Sequence, residues 1–98
     1  MILTDYKAQH GNPSIMIIHG DAHGADTLAG EWARANGQPE VKVPAQWDVY
    51  RKTAGPIRNA WMLQLKPDVV IAFPGGNGTA NMAAQANGAG IEVIVVAP

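Results

Sequence analysis

Two glycine-rich segments hold the residue types best suited to gripping a ligand: His19-Gly20-Asp21-Ala22-His23-Gly24-Ala25-Asp26 and Pro74-Gly75-Gly76-Asn77-Gly78-Thr79. Glycine at Gly75, Gly76 and Gly78 lets a backbone come close to a bound group with its N–H groups pointing inward, and a helix opening there favours an anion such as phosphate. Thr79 is expected to cap that helix or to bind phosphate. A tight strand-to-helix turn without a ligand would seldom need three glycines. The segment is neither a Walker loop nor a dinucleotide fingerprint, since it lacks GK[ST] and Gly76-Asn77-Gly78 lacks the third glycine. In the first segment His19, Asp21 and His23 offer donors and acceptors to a pocket wall. Asp26 suits either that wall or the cap of the helix it opens, and its type alone leaves both readings open. His19 and His23 are four apart, but the glycines interrupt a helix there and no third ligand is fixed by spacing, so no metal site is expected.

Between residues 42 and 66 lie Lys42, Arg51, Lys52, Arg58 and Lys66, five of the seven basic residues, against the single acid Asp48. The segment from Pro44 to Pro56 reads as a long loop that combines aromatics able to stack on a base, Trp47 above all, with cations able to pair with phosphate. A nucleotide-shaped ligand suits it; a solvated loop with Trp47 packed as core is the plainer reading.

These residues need elements to hold them. The apolar runs Ile15–Ile18, Val41–Val43, Val69–Phe73 and Ile91–Val96 are mostly continuous rather than alternating, as in strands buried on both faces of a parallel sheet. The stretches between them read as helices. One follows Asp26 and stops at Gly37, with Leu28 and Trp32 one turn apart on an apolar stripe. A second starts near Pro56, carries Ile57, Trp61 and Leu65, and ends at Lys66-Pro67. A third runs from Thr79 to Asn87 with Gly88 as its C′ residue. Trp32 and Trp61 are read as core. Residues 1–13 read as a partial helical arm, broken at Gly11-Asn12-Pro13, with His10 on the surface. Alternation of strand and helix implies a Rossmann-like α/β fold whose ligands lie beyond the carboxyl ends of the strands.

The chain has 98 residues, 47% hydrophobic and 15% charged, with no cysteine and a formal net charge of −1. Such a length suits one domain with a modest core, so sharing surface with further copies is expected. Seven basic residues against eight acidic ones disfavour a nucleic-acid binder that depends on bulk charge. The lack of cysteine excludes disulfides, thiolate metal sites and a thiol nucleophile. No secretory leader pattern is present at the start, and no apolar run reaches the roughly 18 to 20 residues of a membrane helix, so a cytoplasmic protein is expected.

Gly20-Asp21-Ala22-His23-Gly24-Ala25-Asp26, Ala54-Gly55-Pro56-Ile57-Arg58-Asn59 and Phe73-Pro74-Gly75-Gly76-Asn77-Gly78-Thr79, in that order, resemble the YspA-like branch of the SLOG superfamily. That superfamily includes the LOG phosphoribohydrolases, also called lysine decarboxylase-like, and the DNA-processing protein DprA. The resemblance runs from about Ile15 to Val96. It implies a Rossmann-like three-layer sandwich with a small parallel sheet of about four strands, reduced at its N-terminus, in one domain spanning the chain. It also implies a nucleotide or nucleotide-derived ligand, of the ADP-ribose type encountered in conflicts between bacteria and phages. The implied ligand-binding residues are Gly20, Asp21, His23, Gly24 and Asp26 in the first loop, Trp47, Arg58 and Asn59, and Pro74, Gly75, Gly76, Asn77, Gly78 and Thr79 in the second. Phosphate is expected on Gly75, Gly76, Gly78 and Thr79, base or ribose near Trp47 and Asn77, and negative charge opposite Arg58.

Two departures shape the functional reading. The LOG pattern continues PGGxGTxxE, whereas Thr79 is followed by Ala80, Asn81 and Met82. Cleaving an N-glycosidic bond needs an ionisable group to stabilise an oxocarbenium-like transition state or to activate water, and none stands there. Binding by a sensor or sequestering module, without a further cofactor, is therefore favoured over catalysis. A nucleoside-monophosphate phosphoribohydrolase using Arg58 and Asp21 is the alternative, and DprA-like binding of single-stranded DNA the second. The resemblance also leads one to expect a central strand before the first helix, and this chain offers no counterpart to it. Strands Ile15–Ile18 and Val69–Phe73 are then expected to pair directly or to be covered by a partner subunit in a homodimer or higher homo-oligomer.

Overall fold

The computed structural model of the chain describes residues 2–11, 13–22, 24–74 and 76–96, which divide into two compact units, Met1–Lys42 and Val43–Pro98. The first contains α1 (Ile2–Gln9), β1 (Ile17–His19), α2 (Ala25–Ala35) and β2 (Glu40–Lys42). Strands β1 and β2 pair in parallel, Ile17 opposite Glu40 and His19 opposite Lys42. Parallel neighbours cannot be joined by a hairpin, and α2 is the crossover. Its C-terminus closes on Gly37 in a Schellman arrangement: Gln38 N–H donates to Ala33 O at 2.8 Å, Gly37 N–H donates to Arg34 O, and Gly37 takes φ +63°. Gln38 then accepts from the Ile15 N–H at 2.6 Å through its side-chain oxygen, tying the end of the helix to the approach to β1.

The N-terminal arm is a helix of eight residues with a packed face. Leu3 is buried, and the Trp32 indole donates to Thr4 Oγ1 at 3.0 Å, a hydrogen bond that ties α1 to α2. His10 is exposed, as expected, and stacks on Tyr6 at 4.1 Å. Burial in α2 falls on Gly30, Trp32 and Ala33, whereas Leu28, expected on the core stripe, is 58% exposed.

The second unit contains α3 (Trp47–Tyr50), a 3-10 turn (Arg51–Thr53), α4 (Ala54–Gln64), β3 (Val69–Ala72), α5 (Asn77–Gly88) and β4 (Glu92–Val95). Strands β3 and β4 are parallel, Val69 opposite Glu92 and Ala72 opposite Val95, with α5 as the crossover. The C-terminal closure of α2 recurs here. Ile91 N–H donates to Ala86 O at 2.9 Å, Gly90 N–H to Asn87 O at 3.1 Å, and Gly90 takes φ +75°. The C′ residue is therefore Gly90 and not Gly88, which remains the last helical residue. Trp61 is half-buried and meets Tyr50 edge-on at 5.9 Å. The segment read as a long loop instead folds into α3 and the 3-10 turn, stapled by Thr53 Oγ1 donating to Tyr50 O at 2.7 Å.

The expected sheet of about four strands is not formed among the described residues, which pair as two sheets of two strands each, β1 with β2 and β3 with β4. Continuous apolar sequence did not here mean burial on both faces. In β3 only Ala72 is buried, and in β4 Glu92 and Val95 are exposed, Val95 by 75%. What the sequence pattern does capture is the βαβ unit, present once in each half.

Gly37→Ala and Gly90→Ala are each expected to lower stability by about 1 to 2 kcal/mol, because a Cβ is unfavourable in the left-handed region. Gly88→Ala meets open space and is expected to gain up to about 1 kcal/mol from helix propensity. Urea unfolding of the three variants checks the assignment of the C′ position.

Candidate functional site

In the first unit, side chains at the end of β1 and the start of α2 hold successive amides of the chain between them. Asp26 Oδ2 accepts from the Gly20 N–H and from the Ala22 N–H, each at 3.1 Å. Between them the Asp21 N–H donates to His19 Nδ1 at 3.0 Å. Asp26 therefore does not cap α2, whose N-cap residue is Gly24; it reaches back and supplies a negative group to the amides of the preceding loop. Asp21 sits at φ +56°, a conformation uncommon for a residue with a side chain, and its carboxylate is exposed to solvent. His23 lies outside the described residues.

His19 is 5% exposed and both of its ring nitrogens are engaged. Since Nδ1 accepts from an amide, the proton resides on Nε2, which donates to Glu40 Oε2 at 2.6 Å. Arg34 Nη1 donates to both oxygens of the same carboxylate, at 2.7 and 2.9 Å. The hydrogen bond from His19 is the main influence that lowers the Glu40 pKa below its ordinary value of 4.5; burial opposes it, and Arg34 and Lys42 reinforce it. Gly30 makes room for this cluster, because a Cβ there would collide with Glu40 Oε2 and crowd His19 Nε2 and Arg34 Nη1. Neither Arg34 nor Glu40 stands out by residue type. The available signal was a glycine in mid-helix, which commonly marks close approach of another group.

In the second unit the candidate residues gather where α4 meets α5. Asn59 is 3% exposed, and its amide nitrogen donates to Gly78 O at 3.3 Å and to Asn81 Oδ1 at 3.2 Å. Its oxygen accepts from Arg58 Nε at 2.9 Å. Gln85 completes the junction by donating to Asn81 Oδ1 at 2.7 Å and to Pro56 O at 3.0 Å. The first turn of α4, the Arg58-Asn59 pair and the first turn of α5 are thus held by one hydrogen-bonded chain. Sequence reading noticed Asn59 but missed Asn81 and Gln85, whose i, i+4 spacing on α5 is the pattern that could have revealed them.

Gly76 is the N-cap of α5, so Thr79 is the third helical residue and not its cap. Pro74, Gly76, Asn77 and Gly78 are exposed, while Arg58 and Thr79 are half-buried. Gly75 lies outside the described residues. Trp47 is 57% exposed and so is not core; its Cη2 lies 3.5 Å from where a Cβ on Gly55 would sit, over the start of α4. No three metal-binding side chains converge among the described residues, and no helix among them is long and apolar enough to cross a membrane.

Residues 1–50 match the model of YAcAr, the YspA, cpYpsA-related SLOG family. A relative, the gene 61 protein of Mycobacterium phage D29, is 38% identical over 93 residues, which cover 87% of this chain and 74% of that protein. The chain belongs to the YspA, cpYpsA-related SLOG family. The family model takes in the loop from His19 to Asp26 and stops before Arg58 and the second glycine-rich segment. No solved structure matches the chain.

The lowered Glu40 pKa makes a signed prediction. Ionised Glu40 contributes stability that is fully present above about pH 4.5 and is lost as pH falls through its lower folded-state value. Glu40→Gln is therefore expected to be less stable than wild type at neutral pH, with the gap closing on acidification below about pH 4.5. Gly30→Ala, which displaces the Glu40 carboxylate, is expected to cost about 1 to 3 kcal/mol, and less when Glu40→Gln is already present. Denaturant unfolding of both single variants and the double variant across pH checks both statements.

Proposed function

We propose that this chain binds a nucleotide or a nucleotide-derived, ADP-ribose-like molecule and acts as a sensor or sequestering module in conflict between phage and bacterium. Membership of the SLOG family supports a nucleotide-related ligand, and the relative in a phage supports the setting. The observation that carries the reading is the α4–α5 junction, where Asn59 ties Arg58 to the exposed glycine turn that opens α5. A phosphate there meets the positive end of a helix of 12 residues together with a guanidinium. Gly75, Gly76, Gly78 and Thr79 receive the phosphate, with Pro74 shaping the turn; base or ribose packs near Trp47 and Asn77. In the first unit, Asp21 is the exposed group offered to a ligand, and Gly24 and His23 belong to the same loop. Gly20 and Asp26 shape that loop through their mutual hydrogen bond.

Met82 stands where the LOG pattern has its glutamate, which favours binding over hydrolysis. The chain is further proposed to work as a homodimer or higher oligomer. Its small size and the exposed Met16, Trp47, Val49, Leu65 and Val95 support this.

Thermal unfolding and calorimetry with AMP, ADP and ADP-ribose test the reading, with native mass spectrometry of the purified protein to detect a co-purified nucleotide and the assembly mass. At least one of the three ligands is expected to raise the melting temperature, and Arg58→Ala to weaken its binding by roughly tenfold to a hundredfold, the cost of a charge-assisted hydrogen bond. Release of free base during incubation would replace sequestration by hydrolysis. Failure of all three ligands to bind would overturn the nucleotide reading.

A further inference from the structure

We infer that Asn81 is a further ligand contact, whose side-chain N–H groups donate to a phosphate oxygen of the bound nucleotide; the inference rests on the proposed nucleotide site. The oxygen and nitrogen of a side-chain amide are told apart by their partners, and here two backbone carbonyls decide three amides in succession. Gly78 O and Pro56 O can only accept. Asn59 must therefore turn its nitrogen to Gly78 O, at 3.3 Å, and Gln85 its nitrogen to Pro56 O, at 3.0 Å. The Asn59 oxygen is left facing Arg58 Nε, a donor, as this orientation requires.

Both nitrogens also reach one atom of Asn81, at 3.2 Å from Asn59 and 2.7 Å from Gln85. An atom that meets two donors must be the carbonyl oxygen, so Asn81 Oδ1 accepts twice and both of its lone pairs are filled. The hydrogens of the Asn59 and Gln85 nitrogens are thereby used. The Asn81 nitrogen carries two more, and among the described residues no protein group accepts them. Asn81 is half-buried and lies one turn beyond Gly78 on α5, in the same hydrogen-bonded junction as the exposed glycine turn. Its amide cannot flip, because reversal would set N–H against N–H at both neighbours. The junction thus holds a pair of donors in a fixed direction, ordered before a ligand arrives. A group that can only donate selects an acceptor, and a phosphate oxygen is the strongest acceptor that a nucleotide offers.

Calorimetry and side-chain amide NMR of the full chain test this, with whichever of AMP, ADP and ADP-ribose binds most tightly. Asn81→Asp keeps an acceptor for both Asn59 and Gln85 but replaces the donors by a second oxygen, so the junction survives and the contact is lost. Its urea midpoint is expected to match or exceed that of the wild type, whereas its affinity for that nucleotide is expected to fall at least about tenfold. A merely structural role for Asn81 would leave the affinity unchanged. The ratio to wild type is expected to persist in about 1 M NaCl, where screening confines charge repulsion to roughly 3 Å. In the wild-type protein the Asn81 amide signals are expected to shift and to exchange more slowly on saturation with the same nucleotide. Those of Asn87, exposed near the far end of the same helix, are expected to stay in place.

Unmoved Asn81 amide signals in the saturated wild type overturn the contact and leave the nucleotide reading standing. Wild-type affinity in Asn81→Asp does the same, as does a loss that vanishes in high salt, the mark of charge repulsion at a distance. Strong destabilisation of Asn81→Asp overturns the amide orientation on which the contact depends. Wild-type protein that binds none of AMP, ADP and ADP-ribose overturns the nucleotide reading and this contact together.

Discussion

A parallel strand pair obliges the chain to leave the sheet, cross over as a helix and return, and amides at the first bend of that path must find acceptors away from the ladder. The two units meet this obligation with different chemistry. In the first, the protein's own groups serve: Asp26 takes the amides of Gly20 and Ala22, and His19 takes that of Asp21. In the second, the helix opens on Gly76, which has no side chain to cap with, and Asn59 of the neighbouring helix donates to the carbonyl of Gly78, a bond that anchors the turn but accepts no amide. The contrast separates a loop stabilised by an internal carboxylate from a turn whose residues Gly76, Asn77 and Gly78 are exposed. The proposed phosphate site lies in the second.

At their far ends the two crossovers converge on one solution. Gly37 and Gly90 both turn left-handed, and the following residue in each case returns its N–H to the helix, at Ala33 and Ala86. The hydrogen bonds at these closures direct the chain into β2 and β4. The variable ends of the two βαβ units are therefore those that carry candidate chemistry, and the repeated ends are structural.

Much of the scaffold was legible in the order of residues. The four apolar runs did become strands, and the three long intervening helices lie within a few residues of their expected bounds. The failures have separable causes. Apolar runs report that a segment is strand-like but not how many neighbours it finds, so pairing in twos was invisible. Helix α3 is a single turn, too short to show periodicity. For the site, residue type drew attention to Asp26, Asn59 and Arg58, but type does not say which way a side chain turns. Asp26 turned back to its own loop and Asn59 turned inward. Arg34 and Glu40 were invisible because their meeting with His19 depends on the register of β1 against β2 and on the glycine that lets α2 approach.

The commitment of both His19 nitrogens bears on how the protein meets trace zinc, copper or nickel. An imidazole captures such an ion through an unprotonated nitrogen's lone pair. Here the lone pair of Nδ1 is used on a backbone amide, and Nε2 carries its proton toward Glu40. An invading ion would have to detach a turn or displace a carboxylate already shared with Arg34. This histidine is thereby shielded from adventitious metallation.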